Sequence, residues 1–307
     1  MSHRHVMVTR SAKLSCRNNQ LVVRQSDEAS GEMCEYTIPL EDIRSIMLED
    51  RQTIITSALL ARLAEYRVAV YTCDEKHLPN GVLLPYCQHS RGPKIMQSQL
   101  DMKRPLAKRL WQNIVRRKIE NQAACLKLCG CDGEEALLAL ASRVASGDKG
   151  SMESQAARLY FKHLFGKAFK RGSDDFINAA MNYGYALVRG QVARSLCAFG
   201  FQPSIGLQHH SELNNFNLAD DLMEPYRPIV DFVVASELDV DSPVLSKLHK
   251  RRLMQILTQM VWLENERYDL TASIEAMVSS FSNAVSTENT SALQLPKLTE
   301  VEMGVYE

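Results

Sequence analysis

Short runs of alternating polar and apolar residues fill the first ninety positions. Lys13–Cys16 and Leu21–Arg24 flank Asn18-Asn19, a pair that tolerates left-handed backbone and marks a turn. Glu35–Ile38, Ile43–Leu48, Arg67–Tyr71 and Val82–Pro85 continue the series with β-branched and aromatic residues suited to a pleated surface. One helix interrupts them: between Thr53 and Tyr66, residues Ile55, Ala58, Leu59 and Leu63 recur at three- and four-residue steps.

From about Gln97 the period becomes helical. Pro105 suits the first turn of a long helix, where its missing N–H costs nothing, and Leu106, Leu110 and Ile114 mark the buried stripe. Further helices are predicted over Met152–Phe169, Phe176–Ala198, Leu218–Ser236, Pro243–Asn265 and Leu270–Val285. The predicted class is α+β: a β-rich, β-sandwich-like N-terminal domain over 1–90 and an all-α domain over 91–285. Residues 286–307, rich in Ser, Thr, Asn and Glu, read as a mobile tail.

Composition narrows this picture. Apolar residues make up 45% of the 307, enough for a sizeable core. No apolar run is long enough to span a bilayer and no signal-peptide pattern is visible, so a cytoplasmic protein without membrane contact is expected. The 8 cysteines are scattered, which fits reduced thiols. Lys plus Arg and Asp plus Glu both total 36, so any surface for nucleic acid must come from local segregation of charge.

Three places in the helical half carry residues able to hold a hard cation. Glu153 lies on the same helical stripe as Ala157, Tyr160, Phe161 and Leu164; read blandly, it is a first-turn glutamate behind a Ser151 N-cap. In Ile205-Gly206-Leu207-Gln208-His209-His210, a glycine-containing loop can turn an imidazole into a cleft or leave it on the surface. In the stretch Asn217 to Pro228, Asp221 and Glu224 are three apart and share a helical face. Asn217 is a plausible N-cap there, Pro225 should bend or restart the helix, and Arg227 could serve a phosphate or pair with an acid. Two carboxylates and an imidazole suit Mg²⁺ or Mn²⁺ better than a soft metal.

The long helix also carries Lys108, Arg109, Arg116, Arg117 and Lys118. Arg109 and Arg116 share one face, giving either a phosphate-tracking surface or an ordinary solvated one. Lys247, Lys250, Arg251 and Arg252 form a second basic cluster open to the same two readings. Cys125, Cys129 and Cys131, with Cys87 and His89, lack the paired spacing of a zinc site and read as core thiols.

Four blocks occur in order: Glu153-Ser-Gln-Ala-Ala-Arg158-Leu-Tyr-Phe161; Asn178-Ala-Ala-Met-Asn182-Tyr-Gly184-Tyr; Ile205-Gly-Leu-Gln-His209; and Asn217-Leu-Ala-Asp-Asp221-Leu-Met-Glu224-Pro-Tyr-Arg227-Pro. Together they resemble the CRISPR-associated integrase family, Cas1. Ile38-Pro-Leu-Glu41-Asp-Ile and Asp74-Glu-Lys-His77-Leu-Pro-Asn-Gly81 resemble its type II branch. The resemblance spans about residues 4 to 280 and implies a homodimer, two of which are bridged by the small protein Cas2. It places the family's metal-binding glutamate, histidine and acid on Glu153, His209 and Glu224, with Asp221 as an assisting acid. The implied reaction is transesterification in antiviral defence: a spacer-precursor duplex attacks the edge of a CRISPR repeat through its 3′-hydroxyl. A type II effector nuclease is a further implied partner. The alternatives are a metal-dependent nuclease on branched DNA and a non-catalytic DNA-binding scaffold. No G-x-x-x-x-G-K-[ST] phosphate loop is present, in keeping with a reaction that exchanges one phosphodiester for another.

Overall fold

The computed structural model describes residues 4–27, 30–86, 89–240 and 242–298. The chain divides into two compact units, Met1–Ser90 and Arg91–Glu307.

The first unit contains β1 (Arg4–Val8), β2 (Lys13–Arg17), β3 (Gln20–Ser26), β4 (Met33–Pro39), β5 (Ile43–Leu48), β6 (Ile54–Ile55), α1 (Ser57–Glu65), β7 (Ala69–Cys73) and β8 (Pro79–Leu83). One four-stranded sheet runs β1-β5-β7-β8 and the other β4-β3-β2-β6. Asn18 and Asn19 both have positive φ, and they close the β2–β3 hairpin between the paired residues Arg17 and Gln20. Thr56 caps α1 by accepting from the Leu59 amide at 3.3 Å. Leu14 and Leu21 from one sheet, Ile43 and Ile46 from the other, and Leu59 and Leu63 from α1 join in a single core. The strand β1 was not expected from the sequence; its Arg and His mask a short apolar alternation that pairs in parallel with β5.

The second unit contains α2 (Gly92–Leu100), α3 (Arg104–Leu128), α4 (Glu134–Ser142), α5 (Met152–Leu164), α6 (Phe176–Ala198), α7 (Asn217–Met223), α8 (Arg227–Glu237), α9 (Lys247–Met254), β9 (Met260–Leu263), β10 (Glu266–Asp269), α10 (Leu270–Ser286) and β11 (Pro296–Lys297). The 25-residue α3 packs against α4, α5 and α8. The helix α6 is buried along nearly its whole length among α7, α8, α9 and α10. Gly184 permits the α6–α8 approach, since a Cβ there would stand 2.5 Å from Val230 Cγ1.

Two sequence expectations fail in this unit. The helix predicted over Pro243–Asn265 stops at Met254, and Met260-Val-Trp-Leu263 forms β9 instead. A two-residue turn, with Glu264 at positive φ, leads from β9 into the antiparallel β10, so the unit is not all helical. Over 286–298 the predicted mobile tail is built into the unit: β11 pairs with β9, and Leu293, Leu295 and Leu298 are buried, while 299–307 lie outside the described residues. Asn121 of α3 locks it, donating to the Pro296 carbonyl at 3.0 Å and accepting from the Leu298 amide at 3.1 Å. Three leucines and a buried amide outweigh the polar composition of that segment. Among the described residues no helix is long and apolar enough to cross a membrane.

Candidate metal centre

The site gathers on α3, α5, the loop before α7 and the α7–α8 junction. At that junction Pro225 lacks an amide hydrogen, and the chain tightens into a 3-10 turn over Glu224–Tyr226 before α8 begins. Asn121 supports the turn by donating to the Pro225 carbonyl at 2.7 Å. Glu224 is thereby presented with its side chain 5% exposed.

Glu224 is held between two cations. Arg227 Nε donates to its Oε1 at 2.7 Å, and Lys118 Nζ stands 2.5 Å from Oε2. The same ammonium donates to Glu153 Oε1 at 2.6 Å, so both acids meet on one lysine. Lys118 is thus the charged partner of the buried Oε2. Burial pushes the Glu224 carboxyl up, but Arg227 and Lys118 outweigh it and bring it to about 2. For Lys118 burial lowers the pKa, and the attraction of Glu224 and Glu153 more than reverses this.

Glu153 opens α5. Ser151, the expected N-cap, sits in the left-handed region and makes no side-chain cap. Asp148 does that work, accepting from the Met152 and Glu153 amides at 2.9 and 3.1 Å.

Asp221 and Glu224 do not present their carboxylates together. Asp221 is fully buried and turns into the loop, accepting from the amides of Leu207, Gln208 and His209 at 2.6, 3.0 and 3.3 Å. Its Oδ1 also lies 2.5 Å from His209 Nδ1. That hydrogen bond raises the His209 pKa, aided by the charges of Asp221, Glu224 and Glu153 against the effect of burial. The ring leans edge-on against Trp111, with centroids 5.8 Å apart. With Nδ1 engaged by a carboxylate, Nε2 is the nitrogen left to face a ligand.

The loop itself is built around side-chain amides. Asn217 is not an N-cap; it is the first residue of α7, and its Nδ2 donates to the carbonyls of Ser204, Ser211 and Asn214. Gln99 of α2 donates to Gln202 and Ile205 carbonyls at 3.0 and 2.8 Å. Gly206 is sterically required, because a Cβ would fall 2.2 Å from the His209 carbonyl oxygen and 2.9 Å from Asp221 Oδ2. Gly206→Ala is therefore expected to displace His209 and shift its ring signals by NMR, while thermal unfolding moves little. Ring signals unchanged from wild type would show that the loop absorbs the added methyl group without moving His209.

Asp231 of α8 lies one helical turn beyond Arg227. It accepts from Tyr160 at 3.1 Å and from Tyr185, whose ring also lies under Arg227 at 4.5 Å. Burial raises its pKa to about 6, although both hydroxyls and the nearby arginines act the other way. A folded value above the unfolded 3.8 means that its contribution to stability is full below about pH 4 and is lost as pH rises through 6. The lost contribution is on the order of 3 kcal/mol. Asp231→Asn should flatten this part of the stability profile, measured by urea unfolding between pH 4 and 7; an unchanged slope would place the titration elsewhere.

The basic stripe of α3 is not uniform. Lys108 and Arg109 are exposed, whereas Arg116 and Arg117 are half-buried and Arg117 pairs with Glu120 at 3.1 Å. Arg227 is engaged by Glu224 and Tyr185. The sequence reading missed the bridging role of Lys118, along with Asp148, Gln99 and Trp111. A signal for Lys118 existed: it continues the four-residue stripe Leu106, Leu110, Ile114. Cys125 is buried with its thiol 3.1 Å from the Tyr160 hydroxyl, as a core thiol would be, and Cys87 lies outside the described residues. Among the described residues no three of His, Cys, Asp or Glu converge into a ready-made metal cage.

Residues 6–240 match the family model described as CRISPR associated protein Cas1. A CRISPR-associated endonuclease Cas1 of Neisseria meningitidis serogroup C (strain 8013) is 42% identical over 310 residues, covering all of both chains. Among solved structures, a casposase bound to integration product superposes with a TM-score of 0.75 at 17% identity, over 94% of this chain and 91% of that one. A Cas6-RT-Cas1–Cas2 complex matches with a TM-score of 0.71 at 20% identity, over 97% of this chain and 36% of that one. These two structural likenesses speak to the fold.

Proposed function

The chain belongs to the Cas1 family of CRISPR-associated proteins, and from that premise we propose that it is a divalent-metal-dependent DNA integrase and endonuclease of CRISPR adaptation. The observation that carries this reading is the pairing of Glu153 and Glu224 on a single ammonium, beside a histidine whose Nδ1 is engaged by Asp221.

Those residues suit a hard cation. Lys118 already holds a positive charge between the two carboxylates, the position a divalent ion would take. Glu153, Glu224 and the Nε2 of His209 would hold Mg²⁺ or Mn²⁺, which polarises a phosphodiester and favours ionisation of the attacking hydroxyl. Asp221 fixes the imidazole's tautomer and orientation, and the three amides it accepts keep the loop from following the ligand outward. Arg227 keeps Glu224 ionised, so the acid remains a charged ligand at any working pH.

The substrates in this reading are a short spacer-precursor duplex with a free 3′-hydroxyl and the edge of a CRISPR repeat. Lys108 and Arg109 are placed to track phosphates, with Arg116 and Arg117 contributing less. The working assembly is a homodimer joined through Cas2, in keeping with the name of the matched Cas1–Cas2 complex. The test uses the purified chain with its small partner, Mg²⁺ or Mn²⁺, a repeat-bearing plasmid, and donor duplexes ending in 3′-hydroxyl or 3′-deoxy sugars. Joining that requires the hydroxyl supports integration. Metal-dependent cutting without joining assigns a nuclease, and DNA binding with neither reaction assigns a scaffold.

A further inference from the structure

The segment after α10 ends against the turn that carries Glu224. It climbs along α3 in step with that helix. Glu288 pairs with Lys103 at 2.8 Å, the Thr290 carbonyl accepts from Asn113 Nδ2 at 3.3 Å, and Pro296 and Leu298 reach Asn121. Between these points the Gln294 amide donates to Ser280 Oγ of α10 at 3.0 Å, and β11 pairs with β9. Leu293, Leu295 and Leu298 bury their side chains. Residues 288–298 thus form a strap, held by apolar burial and a short strand rather than by one bond.

Asn121 is where the strap meets the site. It is buried, and both its amide nitrogen and its carbonyl oxygen are engaged. Nδ2 donates to the Pro225 carbonyl at 2.7 Å and to the Pro296 carbonyl at 3.0 Å, while Oδ1 accepts from the Leu298 amide at 3.1 Å. Pro225 is the middle residue of the 3-10 turn that opens with Glu224. One side chain therefore ties the strap to the backbone that presents the buried acid. The strand β11 also packs directly on that turn. Two partners of the strap leave Asn121 together when the strap lifts, and a buried amide that loses them swings toward new ones. Its hold on the Pro225 carbonyl goes with that motion.

We infer that residues 288–298 are a working part of the metal centre, and that Asn121 is a positioning residue through which docking of the strap sets the Glu224 turn for its ion. The ion rests on the metal-dependent reading above; the coupling of strap to turn does not. A brace that only added stability would leave its two ends independent in the folded protein. Coupling through Asn121 makes each end sense the other. Undocking the strap lowers metal affinity, and bound metal holds the strap down by the same factor.

Hydrogen exchange of the full chain, read by mass spectrometry on peptides covering 223–227 and 293–298, tests both directions. Leu295→Asp puts a charge under the middle of the strap and undocks it; Asn121→Leu cuts the link while keeping a side chain of similar shape. Without metal, each substitution should speed exchange of the 223–227 peptide about tenfold, and the double variant should add nothing further. Saturating Mg²⁺ should slow exchange of the 293–298 peptide about tenfold in wild type and leave it unchanged in Asn121→Leu. Mn²⁺ affinity, read from the EPR signal of the free ion, should fall about tenfold in each single variant. Thermal unfolding checks that the variants fold, and Leu295→Ala gives the same changes in smaller degree should the buried charge unfold the chain. A strap released in Leu295→Asp, with the 223–227 peptide still at the wild-type rate, would overturn the coupling. Effects of the two substitutions that multiply would do so as well. Wild type that binds no Mn²⁺ but shows the metal-free coupling removes the metal and keeps the positioning role. Mn²⁺ bound with equal affinity by wild type and both variants keeps the metal and removes the strap from its site.

Discussion

Glu224→Gln is expected to abolish joined DNA product, a loss of at least about a hundredfold, because the neutral amide cannot supply the anionic ligand that a divalent ion needs. The same substitution should lower stability in metal-free buffer by about 3 kcal/mol. Glu224 is buried with Arg227 on one oxygen and Lys118 on the other, and removing its charge leaves both cations short of a partner. The pH profile separates this from a loss of packing. Glu224 titrates at about 2, below its ordinary 4.5, so its contribution to stability is present above 4.5 and is lost as pH falls through 2. Urea unfolding of wild type and Glu224→Gln should therefore differ most above pH 5 and converge in acid. Curves that stay parallel down to pH 2 would mean that the ion pairs contribute nothing and the variant suffers from shape alone.

Asp221→Asn is the second large effect. Asp221 is fully buried and accepts three backbone amides as well as the His209 ring nitrogen. An asparagine keeps one acceptor oxygen and turns an NH₂ toward donors, so at least one amide of the loop is left unsatisfied. The cost should be about 2 kcal/mol in unfolding, with a 10- to 100-fold fall in strand transfer from a loosened imidazole. An NMR titration of the His209 ring gives the specific signature: the raised pKa should drop when its hydrogen bond to the carboxylate is removed. Protonated His209 stabilises the fold below its unfolded value, and this is lost as pH rises through the folded value, so that part of the difference between wild type and variant shrinks toward alkaline pH. A His209 titration that ignores Asp221→Asn would contradict the orienting role.

Much of this site was legible because its residues sit in ordered local blocks. Glu153, His209 and Glu224 stand out from a sequence in which each, taken singly, has an ordinary structural reading. Phe176–Ala198 was placed to the residue, since α6 is long and bounded by the Asp175 cap. What escaped was long-range. Lys118 and Gln122 look like polar residues on a solvated face until the stripe Leu106, Leu110, Ile114 is continued by fours, which turns both inward. The shared face of Asp221 and Glu224 was misleading because the helix tightens at Pro225 and the two acids find different partners. In the final segment, sparse leucines within a polar stretch concealed a strand that needed β9 to pair with.

The central claim is that Glu153, His209 and Glu224 form one metal site that joins DNA. It is tested most directly by strand transfer of a 3′-hydroxyl duplex into a repeat-bearing plasmid under Mn²⁺, with wild type, His209→Ala and Glu224→Ala run side by side. Joined product from the wild type alone, with both variants folded and still binding DNA, is the expected result. Joining that survives in either variant would contradict the site.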